Sequence, residues 1–350
     1  MSLVSTLVTE SMENSPVIIP RIESPEHRPR WQHLLSQGIR SSAELLALLE
    51  IDPAGLEVQY PGGNFPLRVP RGFVNRMARG DSRDPLLLQV LPTASESENT
   101  PGYHCDPLGE LHAMPVPGLL HKYRGRALLT ITGACAIHCR YCFRRHYPYS
   151  DANPANGNLQ ESLRYLRQQT DIREIILSGG DPLTLGDARL QSLTNQLAGV
   201  PQLQTLRIHT RLPIVLPERV DQGLLQWIGR QRLRVVIVVH CNHPNEIDPA
   251  VATALLRLRA AGVTLLNQSV LLRGVNDNAT ALISLSESLF AAGALPYYLH
   301  LLDKVQGAAH FAVAPDTARH LLATMQAELP GYLVPRFVRD IPGQPCKTPL

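Results

Sequence analysis

Long apolar runs are absent. No stretch reaches the roughly 18 consecutive apolar residues of a membrane-spanning helix, so no span and no membrane partner is expected. A leader is missing as well. Residues 1–25, MSLVSTLVTESMENSPVIIPRIESP, lack a basic start and carry Glu10 and Glu13 early, unlike a secretory signal. Net charge is only +3. That is too slight to draw the chain to nucleic acid or to a membrane surface. The short basic runs HCRYCFRRH and RQRLRVV read as solvated faces or anion sites rather than a nucleic-acid patch. Internal repeats and low-complexity tracts are also lacking. Cysteines number six, and three of them crowd into eight positions. Such a set is no secreted disulfide framework. It suits the cytoplasm, where thiols stay reduced and clustered cysteines bind metal or do chemistry.

What is there suffices for a large core, with 44% hydrophobic and 18% charged residues. A chain of 350 residues allows about two domains, or one α/β barrel with an extension. Residues 1–100 are read as a helical, loop-rich N-terminal extension and 101–350 as the core. Residues 30–50 have apolar positions on a helical spacing. Residues 51–118 are rich in Pro, Gly and polar residues, with short elements such as PLLLQVLP. From 127 onward, short apolar runs at 127–132, 174–178, 205–209, 234–240, 265–272 and 297–302 read as buried strands. Helices are predicted between and after them at 158–169, 187–198, 218–231, 248–261, 279–293 and 315–328. Asp248-Pro249 supplies a helix start; Gly262 and Gly293 supply stops. Six strand–helix units imply an α/β fold with a parallel sheet, too short for a closed eight-stranded barrel. An open, partial (β/α)6 barrel fits, with its chemistry at the C-terminal ends of the strands.

Polar residues collect at those ends. The loop GACAIHCRYCFRRH, with Cys135, Cys139 and Cys142 spaced C-x3-C-x2-C, follows the first strand. Ser178-Gly179-Gly180-Asp181 follows the second, and His209 and Arg211 end the third. His240 to Glu246 ends the fourth, Gln268 lies in the fifth and Asp303 closes the sixth. Three thiolates suit a four-iron cluster with one iron left open to a chelating small molecule. A zinc site is the alternative, with His138, His146, Cys105 or Cys241 as fourth ligand, but structural zinc favours separated ligand pairs. The two glycines of SGGD let backbone approach a ligand closely, and Asp181 can accept from an ammonium; a plain turn is the competing reading.

The cysteine spacing, with Tyr141 before the last cysteine, resembles the radical S-adenosylmethionine superfamily. Within it the chain is similar to the lysine 2,3-aminomutase family. The resemblance rests on DPLGE (106–110), PVPGLLHKYRGRALL (115–129), CAIHCRYCFRRH, LSGGDPL, HCNHPNEI, NQSVLLRGVND (267–277) and RDIPGQPCKTPL (339–350). It implies a [4Fe-4S] cluster on the three cysteines and S-adenosylmethionine held on the open iron and by the GGD segment. It also implies pyridoxal 5′-phosphate in Schiff-base linkage to Lys347, a residue that alone would pass for a solvated terminal charge. Arg126 and Lys122 then serve the cofactor phosphate, while His240 and Gln268 match other pocket positions. Arg144 pairs with the substrate α-carboxylate, and Asp303 and Asp340 hold the ε-ammonium of L-lysine. The radical derived from S-adenosylmethionine starts migration of the amino group.

Longer relatives continue past the pyridoxal lysine with zinc-binding cysteines; here Asn278 stands at one such position, so no zinc is expected. The chain is most similar to the short bacterial branch that makes (R)-β-lysine for elongation factor P, where a separate ligase attaches it. A flavodoxin-like electron donor and a homodimeric assembly go with that reading. The rivals are an aminomutase serving metabolism with lysine or another amino acid, a radical enzyme modifying RNA, and a zinc-binding module.

Overall fold

The structure, a computed structural model, describes residues 29–56, 58, 65–149 and 158–350. Residues 1–25, on which the expectation of no secretory signal rests, lie outside them. Among the described residues four α-helices precede the sheet: α1 (Arg30–Ser36), α2 (Ser42–Leu48), α3 (Arg71–Val74) and α4 (Pro85–Leu88). Residues 30–50 therefore form two helices, not one. Ile39 leaves the helical path to pair with Val69 (Ile39 N–H to Val69 O, 2.8 Å), and the Ser41 side chain caps α2 by accepting from Glu44 N–H.

One nine-stranded sheet runs in chain order. Strand β1 (Leu119–Tyr123) is antiparallel to β2 (Arg126–Thr132). From β2 onward β3 (Glu174–Gly179), β4 (Thr205–Thr210), β5 (Arg234–His240), β6 (Thr264–Leu271), β7 (Leu295–Leu301) and β8 (Arg336–Arg339) are parallel. Strand β9 (Thr348–Pro349) returns antiparallel to β8. The crossovers hold α5 (Asn158–Gln168), α6 (Asp187–Ala198), α7 (Leu212–Val215), α8 (Gln222–Gly229), α9 (Pro249–Ala260), α10 (Ala279–Ala291) and α11 (Pro315–Glu328). The six expected strand–helix units are β2–α5 to β7–α11. The two end strands do not pair with each other, so the barrel stays open. Strands β1, β8 and β9 add to the expected six. RFVR of β8 has two apolar residues between arginines, too short a run to announce itself.

Side chains alternate across a strand, and the alternation divides labour here. Ile175, Leu177, Leu206, Ile208, Ile237 and Val239 are wholly buried in the core that the crossover helices join. Each such side chain stabilises the fold by about 1.5–3 kcal/mol. The other positions of the same strands, among them Ser178, Arg207, His209 and His240, face a cavity inside the curved sheet. The outer core is continuous from Trp31 to Ala294, so the N-terminal helices share it. Helix ends follow local chemistry. Asp248 accepts from Val251 N–H at 2.8 Å with Pro249 at the first helical position. Gly262 (φ +84°) turns the chain just past the end of α9. Asn278 caps α10 by accepting from Ala281 N–H at 2.9 Å. Among the described residues no helix is long and apolar enough to cross a membrane.

Candidate active site

The strand ends and the loops beyond them surround one cavity of about 380 Å³. Every residue that the resemblance assigns to cluster, cofactor or substrate lines it: Cys135, Cys139, Tyr141, Cys142 and Arg144 after β2, Ser178 to Asp181 after β3, His240, Gln268 and Asp303 from β5 to β7, and Lys122, Arg126, Asp340 and Lys347 at the open seam. Residues separated by more than 200 positions thus share one space.

The three cysteines are free thiols. Burial, reinforced by the neighbouring thiols, pushes Cys135 well up and Cys142 to about 11. Their loop is held from behind by the N-terminal segment. His138 N–H donates to Arg68 O and Arg140 N–H to Gln89 O, both at 2.9 Å. Arg140, 1% exposed, forks onto the buried Glu96, which also takes Arg145. Burial alone would raise the Glu96 carboxyl, but Arg140 and Arg145 outweigh it and hold it below the usual range. The alternative zinc ligands are engaged elsewhere. His138 Nδ1 lies 2.8 Å from Pro66 O, His146 Nε2 lies 3.2 Å from Gln306 O, and Cys105 and Cys241 sulfurs contact Gln306 and His243 O. Among the described residues no three His, Cys, Asp or Glu side chains are grouped to hold a single metal ion. A cluster-sized centre on thiolates is what this donor set suits.

SGGD has partners within the fold. A Cβ on Gly180 would lie 2.3 Å from Ala134 O, and Asp181 N–H donates to Ala134 O at 2.7 Å. The glycines therefore let the second strand end pack on the cysteine loop itself. The Asp181 carboxylate accepts from Leu183 N–H, the Thr210 hydroxyl, Arg211 N–H and Leu212 N–H, at 2.6–3.0 Å. Those four donors occupy its lone pairs, so it ties β3 to β4 rather than waiting for an ammonium.

At the open seam, Lys347 Nζ donates to Asp340 Oδ2 at 2.8 Å, and the Tyr123 hydroxyl donates to Asp340 Oδ1 at 2.8 Å. Burial would raise Asp340, but Lys347 and Tyr123 hold it below the usual carboxylate range. The Asp303 carboxyl has no hydrogen-bond or ion-pair partner among the described residues; the backbone carbonyl accepts from Val305 N–H at 2.7 Å. Burial raises it to about 7, with Lys347 pulling down and Asp340 and Glu110 pushing up. Arg126 lies over the Tyr123 ring at 4.5 Å, and Lys122 Nζ donates to Leu108 O at 3.0 Å. Tyr141 stacks on His240 and its hydroxyl lies 3.0 Å from Nε2; burial keeps that imidazole neutral. Arg144 is not idle. Its Nε and Nη2 fork onto Glu110 at 2.7 and 2.8 Å, and Nη1 donates to Ser178 Oγ at 2.8 Å. Two of its five N–H groups remain.

No protein-family model matches the chain. Over 328 residues it is 49% identical to the L-lysine 2,3-aminomutase of Escherichia coli strain K12, covering 92% of this chain and 95% of that one. Identity to the L-lysine 2,3-aminomutase of Haemophilus influenzae is 46%, over 95% and 98% of the two chains. This chain belongs to the L-lysine 2,3-aminomutase family. Membership makes it an isomerase. The family member of Clostridium subterminale is 37% identical over 279 residues, which span 79% of this chain and 67% of that one. Among solved structures, a radical SAM methyltransferase from Sphaerobacter thermophilus matches at a TM-score of 0.46 and 15% identity, over 63% and 68% of the chains.

For a member of the aminomutase family, several site residues had no signal of their own. Glu110 sits inside the quoted DPLGE, yet nothing local pairs it with Arg144. Tyr123 sits inside the quoted PVPGLLHKYRGRALL with no role of its own assigned, and Glu96 lies in a segment without a chemical motif. His209 ends β4 with Nε2 buried and unpartnered among the described residues, facing the cavity.

Proposed function

We propose that this aminomutase converts L-α-lysine to (R)-β-lysine with a [4Fe-4S] cluster on Cys135, Cys139 and Cys142, S-adenosylmethionine beside it, and pyridoxal 5′-phosphate on Lys347. The observation that carries the reading is the meeting of three thiols, the Lys347 amine and the Asp303 and Asp340 carboxyls in one cavity. When bound, these groups supply a carbon radical and a covalent hold on the migrating amino group. The protein's own side chains do the rest. Asp340 is satisfied by Lys347 here; once Lys347 is engaged by the cofactor, Asp340 and Asp303 need another cation. An ε-ammonium meets that need, and its charge favours release of the Asp303 proton. Arg144, steadied by Glu110 and Ser178, offers its remaining N–H groups to the α-carboxylate. Arg126 and Lys122 supply positive charge for a phosphate. Ser178, Gly179, Tyr141, His240 and Gln268 line the space beside the thiols, suited to S-adenosylmethionine. The curved sheet around the cavity limits the water that reaches a reactive radical.

We further assign the product to β-lysylation of elongation factor P. Near-complete coverage of the two shorter relatives, against 67% of the clostridial one, supports that reading. The test is an anaerobic assay of reconstituted protein with a strong reductant, both cofactors and L-lysine, resolved on a chiral column. Formation of (R)-β-lysine is expected. Cleavage of S-adenosylmethionine without β-lysine would reject lysine as the substrate and turn attention to other amino acids. Elongation factor P that keeps its β-lysyl mass in cells lacking this chain would reject the pathway.

A further inference from the structure

Arg211 follows β4 directly and is 6% exposed. Its Nη1 donates to Cys139 Sγ at 2.7 Å and to the Tyr141 hydroxyl at 2.8 Å. Nη2 donates to Gln89 Oε1 at 2.6 Å and to Glu246 Oε2 at 3.0 Å. Its own N–H donates to Asp181 Oδ2 at 2.7 Å, so the residue is fixed at both ends. Glu246 is wholly buried and also receives Asn242 N–H at 3.0 Å, which fixes the counter-charge in turn. The side chain presses a permanently charged guanidinium on a cysteine sulfur, away from bulk water that would screen it.

We infer that Arg211 is a positioning residue for the iron–sulfur centre and that its contact with Cys139 raises the centre's reduction potential. The inference rests on reading the three thiols as cluster ligands. One-electron reduction adds a negative charge to iron and sulfur, and the external reductant supplies the electron. A cationic N–H donor on a ligand sulfur stabilises that added charge, and hydrogen bonds to sulfur are a recognised control of cluster potential. Glu246 offsets part of the effect, because it sits on the far side of the same guanidinium. The network thus adjusts how readily the cluster takes the electron that starts the reaction.

The test uses the full chain, reconstituted anaerobically with iron and sulfide, and no other cofactor. Iron and sulfide are assayed, and the midpoint is measured by potentiometric titration followed by electron paramagnetic resonance. Arg211→Met is expected to hold its cluster with a midpoint shifted to more negative potential. Arg211→Lys, a cation without the fork, is expected between Met and wild type. Glu246→Gln is expected to shift positive. A fully loaded Arg211→Met at the wild-type midpoint overturns the inference. Should that variant fail to load, wild-type midpoints in both Arg211→Lys and Glu246→Gln overturn it equally. Wild-type protein that takes up no iron and sulfide overturns the cluster reading instead.

Discussion

Replacing Asp303 with Asn separates what the carboxyl costs the fold from what it does for the reaction. Burial moves this carboxyl from an ordinary 3.8 to about 7. Between those values the native chain holds a proton that the unfolded chain has released. Stability therefore falls as pH rises through that window, and the loss is complete above about 7. At about 1.4 kcal/mol per pH unit, the whole interval amounts to roughly 4 kcal/mol, and the part above pH 5 to about 3 kcal/mol. Asparagine has nearly the same shape and no charge to desolvate. Relative to wild type, the cofactor-free Asp303→Asn protein should gain about 3 kcal/mol between about pH 5 and about pH 8, read from urea midpoints and slopes. Turnover should move the other way. Losing one carboxylate from a buried ammonium costs about 3–5 kcal/mol, or about two to four orders of magnitude in kcat/KM for lysine. Stability differences that do not change with pH would refute the raised carboxyl. Wild-type turnover in the variant would refute the ammonium clamp.

Three other substitutions probe the site. Lys347→Ala should abolish the visible absorbance of protein-bound pyridoxal phosphate, because among the described residues no other lysine pairs with Asp340; an unchanged spectrum would reject Lys347 as the attachment point. Gly180→Ala drives a Cβ to within 2.3 Å of Ala134 O, so the cysteine loop must shift. Iron content and unfolding midpoint should fall, by about 1–3 kcal/mol for the latter, and normal values for both would show that the loop accommodates the methyl. Glu96→Ala strands Arg140 and Arg145 in the interior and should destabilise the fold by about 3–5 kcal/mol in a denaturant titration; a loss under about 1 kcal/mol would mean the arginines find water.

Much of the architecture is written locally. The six core strands and their helices follow from apolar period and from caps such as Asp248-Pro249, each readable within a dozen residues. Strand β8 escaped because RFVR is short, and its place beside β7 is a tertiary matter. The break between α1 and α2 escaped because the partner that draws Ile39 aside, Val69, lies 30 positions away. Chemical identity was also local: three thiols in eight positions, SGGD after a strand, a lysine after Pro-Gly-rich chain.

By itself, then, the sequence determined the fold class, the rim at which the reactive groups collect and the types of group that collect there. Folding decided which of those groups are already committed to one another. Asp181 is used up by four donors, and Arg144 is held by Glu110. Lys347 rests on Asp340, and Arg211 reaches Cys139. Tyr123 and Asp340 are 217 positions apart, and Arg211 and Gln89 are 122 apart. Periodicity and capping act over a few residues, whereas a buried polar group takes whatever partner the folded chain brings within about 3 Å.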